Sequence, residues 1–211
     1  MKIIRTSYIK PSRSVVEEAV NTIKEKGVVV GITDTVYGVF SDPTRRECVE
    51  KVYRVKERVG KPIPVLASSI DAVTSIADCK EWVIELLYAL WPGPVTVILS
   101  LKESIFPEIL HQGRNKVGFR VPAAPLPRQI AASLDGFVTG TSANISGLKP
   151  AETIDEAIKQ LGDRIDLYID SGIAPLRIPS TVIEIQDNEV NIVRQGIVKI
   201  DVIKRIISQI K

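Results

Sequence analysis

The sequence predicts an α/β fold, with helices flanking a sheet of mixed parallel and antiparallel strands. Three observations predict it. Short apolar, β-branched runs alternate with amphipathic stretches from end to end. Isoleucine and valine outnumber leucine while aromatics are only 5%, a composition that suits buried strands. Several turns are short, with a hairpin signal at Asp187-Asn188, so the pairing should not be purely parallel.

Taken in order, Ser14–Glu17 reads as a capping box opening a helix that Gly27 closes. Val28–Ile32 is apolar throughout, as a strand buried on both faces must be. A second capping box, Thr44–Glu47, precedes Val49, Val52, Tyr53 and Lys56, whose spacing turns one helical face inward. Pro62 and Pro64 punctuate the chain before the apolar stretch Val65–Ala67. Glu81–Leu90 reads as a helix broken by Trp91-Pro92-Gly93-Pro94. Val95–Leu101 and Lys116–Val121 read as strands, Leu126–Leu134 as a helix, and Phe137–Thr141 as one short strand. Thr153–Glu156 is a third capping box, heading a helix that ends near Gly162. Leu167–Asp170, Thr181–Gln186 and Asn191–Arg194 complete the strands, and Asp201 caps a last helix reaching Ile210.

The 211 residues carry no repeat or long linker, so residues 1–211 are expected to form a single domain without a further C-terminal one. Lys and Arg exceed Asp and Glu by 28 to 25, a net charge of +3 that is too mild for a dedicated nucleic-acid arm. Cys48 and Cys79 fit neither a disulfide scaffold nor a zinc motif, and His111 is the one histidine. No apolar run approaches the roughly 20 residues that span a bilayer, and no signal-peptide core follows Met1. The expectation is a cytoplasmic protein with no membrane partner.

Five polar clusters stand at the ends of these strands, where α/β sheets place their sites. The first, Thr33-Asp34-Thr35-Val36-Tyr37-Gly38, offers hydroxyls and a glycine that lets backbone approach; its plain reading is a capped turn. Next, Lys56, Arg58 and Lys61 lead into Pro62, a candidate phosphate clamp or a solvated helix end. Trp91-Pro92-Gly93-Pro94-Val95-Thr96 forms a rigid turn that aims Thr96 at a cleft, or a simple helix stop. In Thr139–Gly147, small residues free backbone N–H groups for an anion. The fifth pairs Ser180-Thr181-Val182 with Arg194-Gln195-Gly196. P-loop and dinucleotide fingerprints are absent. With one histidine, read as an exposed loop residue, no serine triad is available. Cys48 falls on an apolar helical face, and Cys79 has Lys80 beside it to lower its pKa. Many cations and hydroxyls without a strong nucleophile suit a site that positions substrates and neutralises phosphate charge.

Together the motifs resemble the YrdC/TsaC family of threonylcarbamoyl-AMP synthases, which serve tRNA modification. The matching pieces are those five clusters together with Val117-Gly118-Phe119-Arg120-Val121-Pro122, in the family's order, from residue 33 to 196. The resemblance implies a twisted mixed sheet with a concave basic cleft. It also implies an enzyme joining L-threonine, bicarbonate and ATP into threonylcarbamoyl-AMP and pyrophosphate, with Mg²⁺. The product would pass to a tRNA threonylcarbamoyl-transferase complex that modifies the adenosine next to the anticodon. Carried over, Lys56, Arg58, Lys61, Pro92, Asn144, Thr153 and Arg194 would bind ATP, Lys56 and Arg58 as catalytic cations. Thr33, Thr35, Thr96, Arg120, Ser142 and Ser180 would hold threonine or its carbamoyl product. No metal ligand follows from the motifs, though Asp34 is a candidate. One competing reading is a non-catalytic domain with weak tRNA or double-stranded RNA binding, marked by steep salt dependence without ATP turnover; the other is a different carbamoyl-transfer enzyme, since related domains occur inside the much longer hydrogenase-maturation proteins.

Three features depart from the family pattern. Ile32 stands where a proline usually precedes Thr-Asp-Thr, and Leu66 lies in the region where many members carry a histidine. The chain also ends soon after Gly196, like the single-domain form, so a lid would come from elsewhere or be absent.

Overall fold

The computed structural model describes residues 1–210. In chain order the elements are β1 (Lys2–Arg5), α1 (Arg13–Lys24), β2 (Val29–Ile32), β3 (Tyr37–Phe40), α2 (Arg46–Val55) and β4 (Val65–Ala67). Then come α3 (Ile70–Ile76), α4 (Glu81–Leu90), β5 (Val95–Ser100), α5 (Glu108–His111), β6 (Lys116–Arg120) and α6 (Pro125–Ala132). The chain continues through β7 (Phe137–Thr139), β8 (Thr141–Ser142), α7 (Ile154–Leu161), β9 (Leu167–Asp170), β10 (Thr181–Gln186), β11 (Glu189–Arg194) and α8 (Ile200–Ile210).

The expected mixture of parallel and antiparallel pairing is present, divided between two sheets among the described residues. One runs β1-β9-β2-β3-β8 and the other β11-β10-β5-β6-β4-β7. In the first, β9 lies parallel to β1 and β2, while β3 pairs antiparallel with both β2 and β8. In the second, β10–β5 and β4–β6 are parallel, and β5–β6, β4–β7 and β10–β11 are antiparallel. The β10–β11 hairpin turns at Asp187 and Asn188, both at positive φ, the primed turn that matches strand twist. Helix α6 packs on β2 of one sheet and on β4 and β7 of the other, and one buried apolar cluster runs through both.

Several expected boundaries shift. Helix α1 begins at Arg13 with Ser12 as its cap, so Ser14 lies inside the first turn and forms no capping box. Thr44 does not cap α2, because its hydroxyl donates to Asp42 Oδ1 at 2.6 Å and its N–H to the same oxygen at 2.8 Å, closing a local turn. Thr153 does cap α7, accepting the Glu156 N–H at 3.3 Å, while Glu156 reaches back to the Glu152 N–H at 2.7 Å. Asp201 sits in the first turn of α8, one residue past its start.

The single strand expected over Phe137–Thr141 is in fact two, β7 and β8, in different sheets. Gly140 is the reason. A Cβ there would lie 2.5 Å from Leu66 Cγ, so only glycine lets the chain cross against β4 at this point. Its N–H donates to Pro64 O at 2.7 Å. One residue earlier, buried Thr139 joins the sheets: its hydroxyl donates to Val39 O at 3.0 Å and accepts the Ser41 N–H at 2.9 Å. The chain is therefore passed from one sheet to the other where the polar loop Thr141–Gly147 begins.

Candidate functional site

A cavity of about 340 Å³ opens over the six-stranded sheet, and strand periodicity decides what faces it. Successive strand residues point to opposite faces. Thr96 and Ile98 of β5, Lys116, Gly118 and Arg120 of β6, Leu66 of β4, and Val182 and Glu184 of β10 all line the cavity. Their odd-numbered neighbours Val97, Val117, Phe119, Val65 and Ile183 go into the core at 1% exposure or less. Pairing brings the floor into rows, Leu66 beside Arg120, Val182 beside Thr96, and Ile98 beside Gly118 and Glu184.

The walls come from loops and from the ends of strands β3, β8 and β11. Thr33, Thr35, Val36, Tyr37 and Gly38 supply one, Thr141 and Ser142 another, and Pro179, Ser180 and Arg194 the third. Arg194 reaches the last because Gly196 lets the chain after β11 pass tightly; a Cβ there would fall 2.3 Å from Pro179 O. The Arg194 Nη2 group then donates to Ser180 O at 2.8 Å. Arg58 enters over Pro62, whose carbonyl accepts from its Nη2 at 2.7 Å.

Most wall hydroxyls already have an acceptor for their proton. Thr33 donates to Val36 O at 2.7 Å, so in the 2.9 Å contact between the Thr33 and Thr35 hydroxyls Thr35 is the donor. Thr35 Oγ1 in turn accepts from Arg120 Nη1 at 3.0 Å. Ser142 donates to Asn144 Oδ1. Thr96 and Ser180 share one bond of 2.8 Å, which leaves one of their two protons for a ligand.

Charge is concentrated here. Arg58, Arg114, Lys116, Arg120 and Arg194 line the cavity against one carboxylate, Glu184, and that one accepts from Lys116 at 2.7 Å. Burial lowers the pKa of Arg58, Arg120 and Arg194; at Arg120 the Asp34 charge opposes this, and the Arg194 charge lowers both Arg58 and Arg120 to a smaller degree. Arg120 is 5% exposed, and Asp34 Oδ1 stands 3.6 Å from its Nη1. Both Asp34 oxygens are buried without a hydrogen-bond partner, and Asp34 lies outside the cavity lining. Five cations around one recess give it a positive potential that attracts anions.

Eight residues singled out in the sequence line this cavity: Thr33, Thr35, Arg58, Thr96, Arg120, Ser142, Ser180 and Arg194. Five do not. Lys56 is 1% exposed, its ammonium donating to Ser142 O and to Asn144 O, the latter at 2.7 Å. Burial first, and the Arg58 charge second, push its pKa down to about 7. The Asn144 amide holds its own loop, donating to Ile145 O at 2.7 Å and Leu148 O at 2.8 Å. Lys61 and Pro92 are exposed, and Thr153 caps α7.

Arg114, Lys116 and Glu184 were not singled out. Stepping by two from Arg120 along β6 reaches Gly118 and Lys116, so the signal for Lys116 was in the strand itself. His111 is not an exposed loop residue; it ends α5 at 6% exposure. Its Nδ1 accepts the Asn115 N–H at 3.3 Å, and Nε2 lies 3.3 Å from the Ser104 hydroxyl, whose proton goes to Phe106 O. That pattern suits the neutral ring protonated at Nε2. Lys80 does not lower the Cys79 pKa: burial raises it to about 11. Cys48 is buried, as its helical face requires. Among the described residues no three His, Cys, Asp or Glu side chains gather to hold a metal, and no helix is long and apolar enough to cross a membrane.

Comparison with known proteins identifies the family and the fold. The Sua5, YciO and YrdC family model, described as telomere recombination, matches residues 21–196. The threonylcarbamoyl-AMP synthase of Aliivibrio fischeri is 32% identical over 184 residues, covering 85% of this chain and 97% of that one. A Methanocaldococcus jannaschii protein named as a putative threonylcarbamoyl-AMP synthase is 31% identical over 179 residues, 84% of each. The crystal structure of P. abyssi Sua5 complexed with L-threonine superposes with a TM-score of 0.92 at 23% identity, the same fold. It is a longer protein, of which this chain covers 61%, against 98% of its own length. On the matched residues and the shared fold, the chain belongs to the Sua5, YciO and YrdC family.

Proposed function

We propose that this cavity is the active site of a threonylcarbamoyl-AMP synthase. The observation that carries the reading is the set of three arginines, Arg58, Arg120 and Arg194, on one small cavity, with Arg194 repelling the other two and the one carboxylate of the lining already paired. A triphosphate and an amino-acid carboxylate are the anions that would relieve them. Support comes from the curated relatives named for this activity and from the threonine complex of P. abyssi Sua5.

Threonine lays its carboxylate on Arg120, and Arg58 and Arg194 take the phosphates of ATP. Its amine, once deprotonated, attacks bicarbonate; a C–N bond forms and water leaves, giving N-carboxythreonine. An oxygen of that carboxylate then attacks the α-phosphorus, and pyrophosphate departs with the electrons of the broken P–O bond. Arg58 and Arg194 neutralise charge on the departing group, as positioned cations do in phosphoryl transfer. No protein nucleophile takes part. The described residues do not fit a protein-held Mg²⁺, since Glu184 is paired to Lys116 and Asp34 is sealed beside Arg120. A magnesium ion belongs to this reading as part of the MgATP substrate, and no step is routed through it.

Lys56 and Asn144 act on the nucleotide site through the loop they hold, since Ser142 is carried between them. Lys61, Pro92 and Thr153 are then contacts for parts of ATP that extend beyond the cavity. Residues 1–211 work as one domain in this reading, in the cytoplasm, and hand the product to a tRNA threonylcarbamoyl-transferase complex.

The experiment is pyrophosphate release with threonine, bicarbonate and ATP each left out in turn. Release that continues without threonine or without bicarbonate rejects the reading. Arg58→Ala is expected to cut the rate by about 100-fold or more, and an unchanged rate removes Arg58 from the site.

A further inference from the structure

The amino-acid subsite has one wall that cannot form hydrogen bonds. Leu66 is the floor residue paired with Arg120 across β4 and β6, so it lies one strand spacing, about 4.8 Å, from the arginine. It is 2% exposed, and it is held by the passage of Gly140 against it. Pro64, Ile98 and Gly118 line the cavity beside it and extend an apolar strip. On the polar side, the protons of Thr33, Thr35 and Ser142 go to Val36 O, Thr33 Oγ1 and Asn144 Oδ1. One hydroxyl proton of the Thr96–Ser180 pair remains, together with the Thr141 hydroxyl on the wall that β8 supplies.

We infer that this site selects its amino acid by the shape of a β-branched side chain against Leu66 more than by its hydroxyl, and that Leu66 is the specificity-determining residue. The inference rests on the proposed activity, with the substrate carboxylate on Arg120. From there, a short side chain meets the Leu66 methyls on one flank and the partly occupied Thr96–Ser180 pair on the other. A site built to bind a hydroxyl rejects the analogue that lacks it by about 10⁴–10⁵, whereas an apolar wall separates close isosteres by only about 10–200-fold. Valine keeps the branched shape and loses the hydroxyl; serine keeps the hydroxyl and loses the methyl. A shape-reading site ranks threonine first, valine second and serine third. A hydroxyl-reading site exchanges the last two.

The test is pyrophosphate release by the intact protein with threonine, valine or serine at saturating bicarbonate and ATP, compared as kcat/KM. The expected result is valine within about 100-fold of threonine and ahead of serine. Leu66→Asn, which places an amide on the same wall, should move serine ahead of valine, while Leu66→Met keeps the wild-type ranking. Release with threonine in which wild-type protein prefers serine to valine overturns the assignment of Leu66 and leaves the activity standing. Release with none of the three amino acids overturns the activity itself. The wild-type ranking does not depend on any variant folding.

Discussion

Arg120 and Lys56 are both buried cations, and their surroundings give them opposite uses. Arg120 sits on the cavity floor at 5% exposure, with Asp34 3.6 Å from one nitrogen and Thr35 accepting from the same nitrogen. The cavity lies on its other side. Lys56, at 1% exposure, has two backbone carbonyls at its ammonium and does not line the cavity. The first arrangement leaves charge facing the cavity; the second ties the end of α2 to the stretch that carries Ser142 and Asn144. The difference teaches that a cation in a motif is assigned by what its nitrogens already bind. Burial does not separate the two residues, but their partners do.

The comparison breaks first at Arg120. Arg120→Ala removes the charge facing Asp34 and leaves a sealed carboxylate alone, which should cost about 3–5 kcal/mol of stability, read by urea unfolding. Threonine-dependent pyrophosphate release should fall by about 100-fold or more at the same time. The double variant Asp34→Leu with Arg120→Leu tells the two effects apart. It should regain most of the stability and none of the activity, because an apolar pair can replace a buried ion pair but cannot hold a carboxylate. Full stability in Arg120→Ala would mean that Asp34 is not held by this charge.

A smaller effect is expected where the floor meets the wall. Gly140→Ala puts a methyl 2.5 Å from Leu66 Cγ, a clash with a packed side chain that should cost about 1–3 kcal/mol. Adding Leu66→Ala makes room for it, so the double variant should lose less than the two single losses combined. Additive losses would show that Gly140 is required for another reason.

The same positions show how much could be read beforehand. Strands β5, β6, β9 and β10 were legible because their apolar residues alternate or run together, and once Arg120 is placed on β6 the periodicity of two gives the rest of the floor. Thr33, Thr35, Thr96 and Ser180 were legible as hydroxyls at strand ends. Strand β1, four residues at a sheet edge and mostly exposed, carries no pattern to read. Strand β3 was hidden behind the polar turn that precedes it, and α3 is only seven residues long. The break at Gly140 depends on Leu66, some seventy positions earlier, and no local window contains both. The periodicity in α2 did turn Lys56 inward with Val49 and Val52, but the carbonyls that receive it come from a loop almost ninety residues away. Residue type pointed to a phosphate and tertiary contact to a carbonyl.

The finest test of the comparison is the proton on Lys56. Its pKa in the folded protein is pushed down to about 7, by burial and then by Arg58, from the ordinary 10.5. Below pH 7 folded and unfolded chains both hold this proton, and the full cost of burying the ammonium is present. Between 7 and 10.5 the unfolded chain holds it and the folded chain does not, so stability rises with pH across that window. Above 10.5 the contribution is level. Lys56→Met lacks the proton altogether, so the wild-type stability minus that of the variant should climb by up to about 1.4 kcal/mol per pH unit. Urea unfolding of both proteins at pH 7.5 and 9.0 measures it, with the other titrating groups cancelling in the difference. A difference that stays flat means that the two carbonyls hold the ammonium charged at its ordinary pKa; Lys56 then keeps a permanent charge next to Arg58, and the contrast with Arg120 narrows to direction alone.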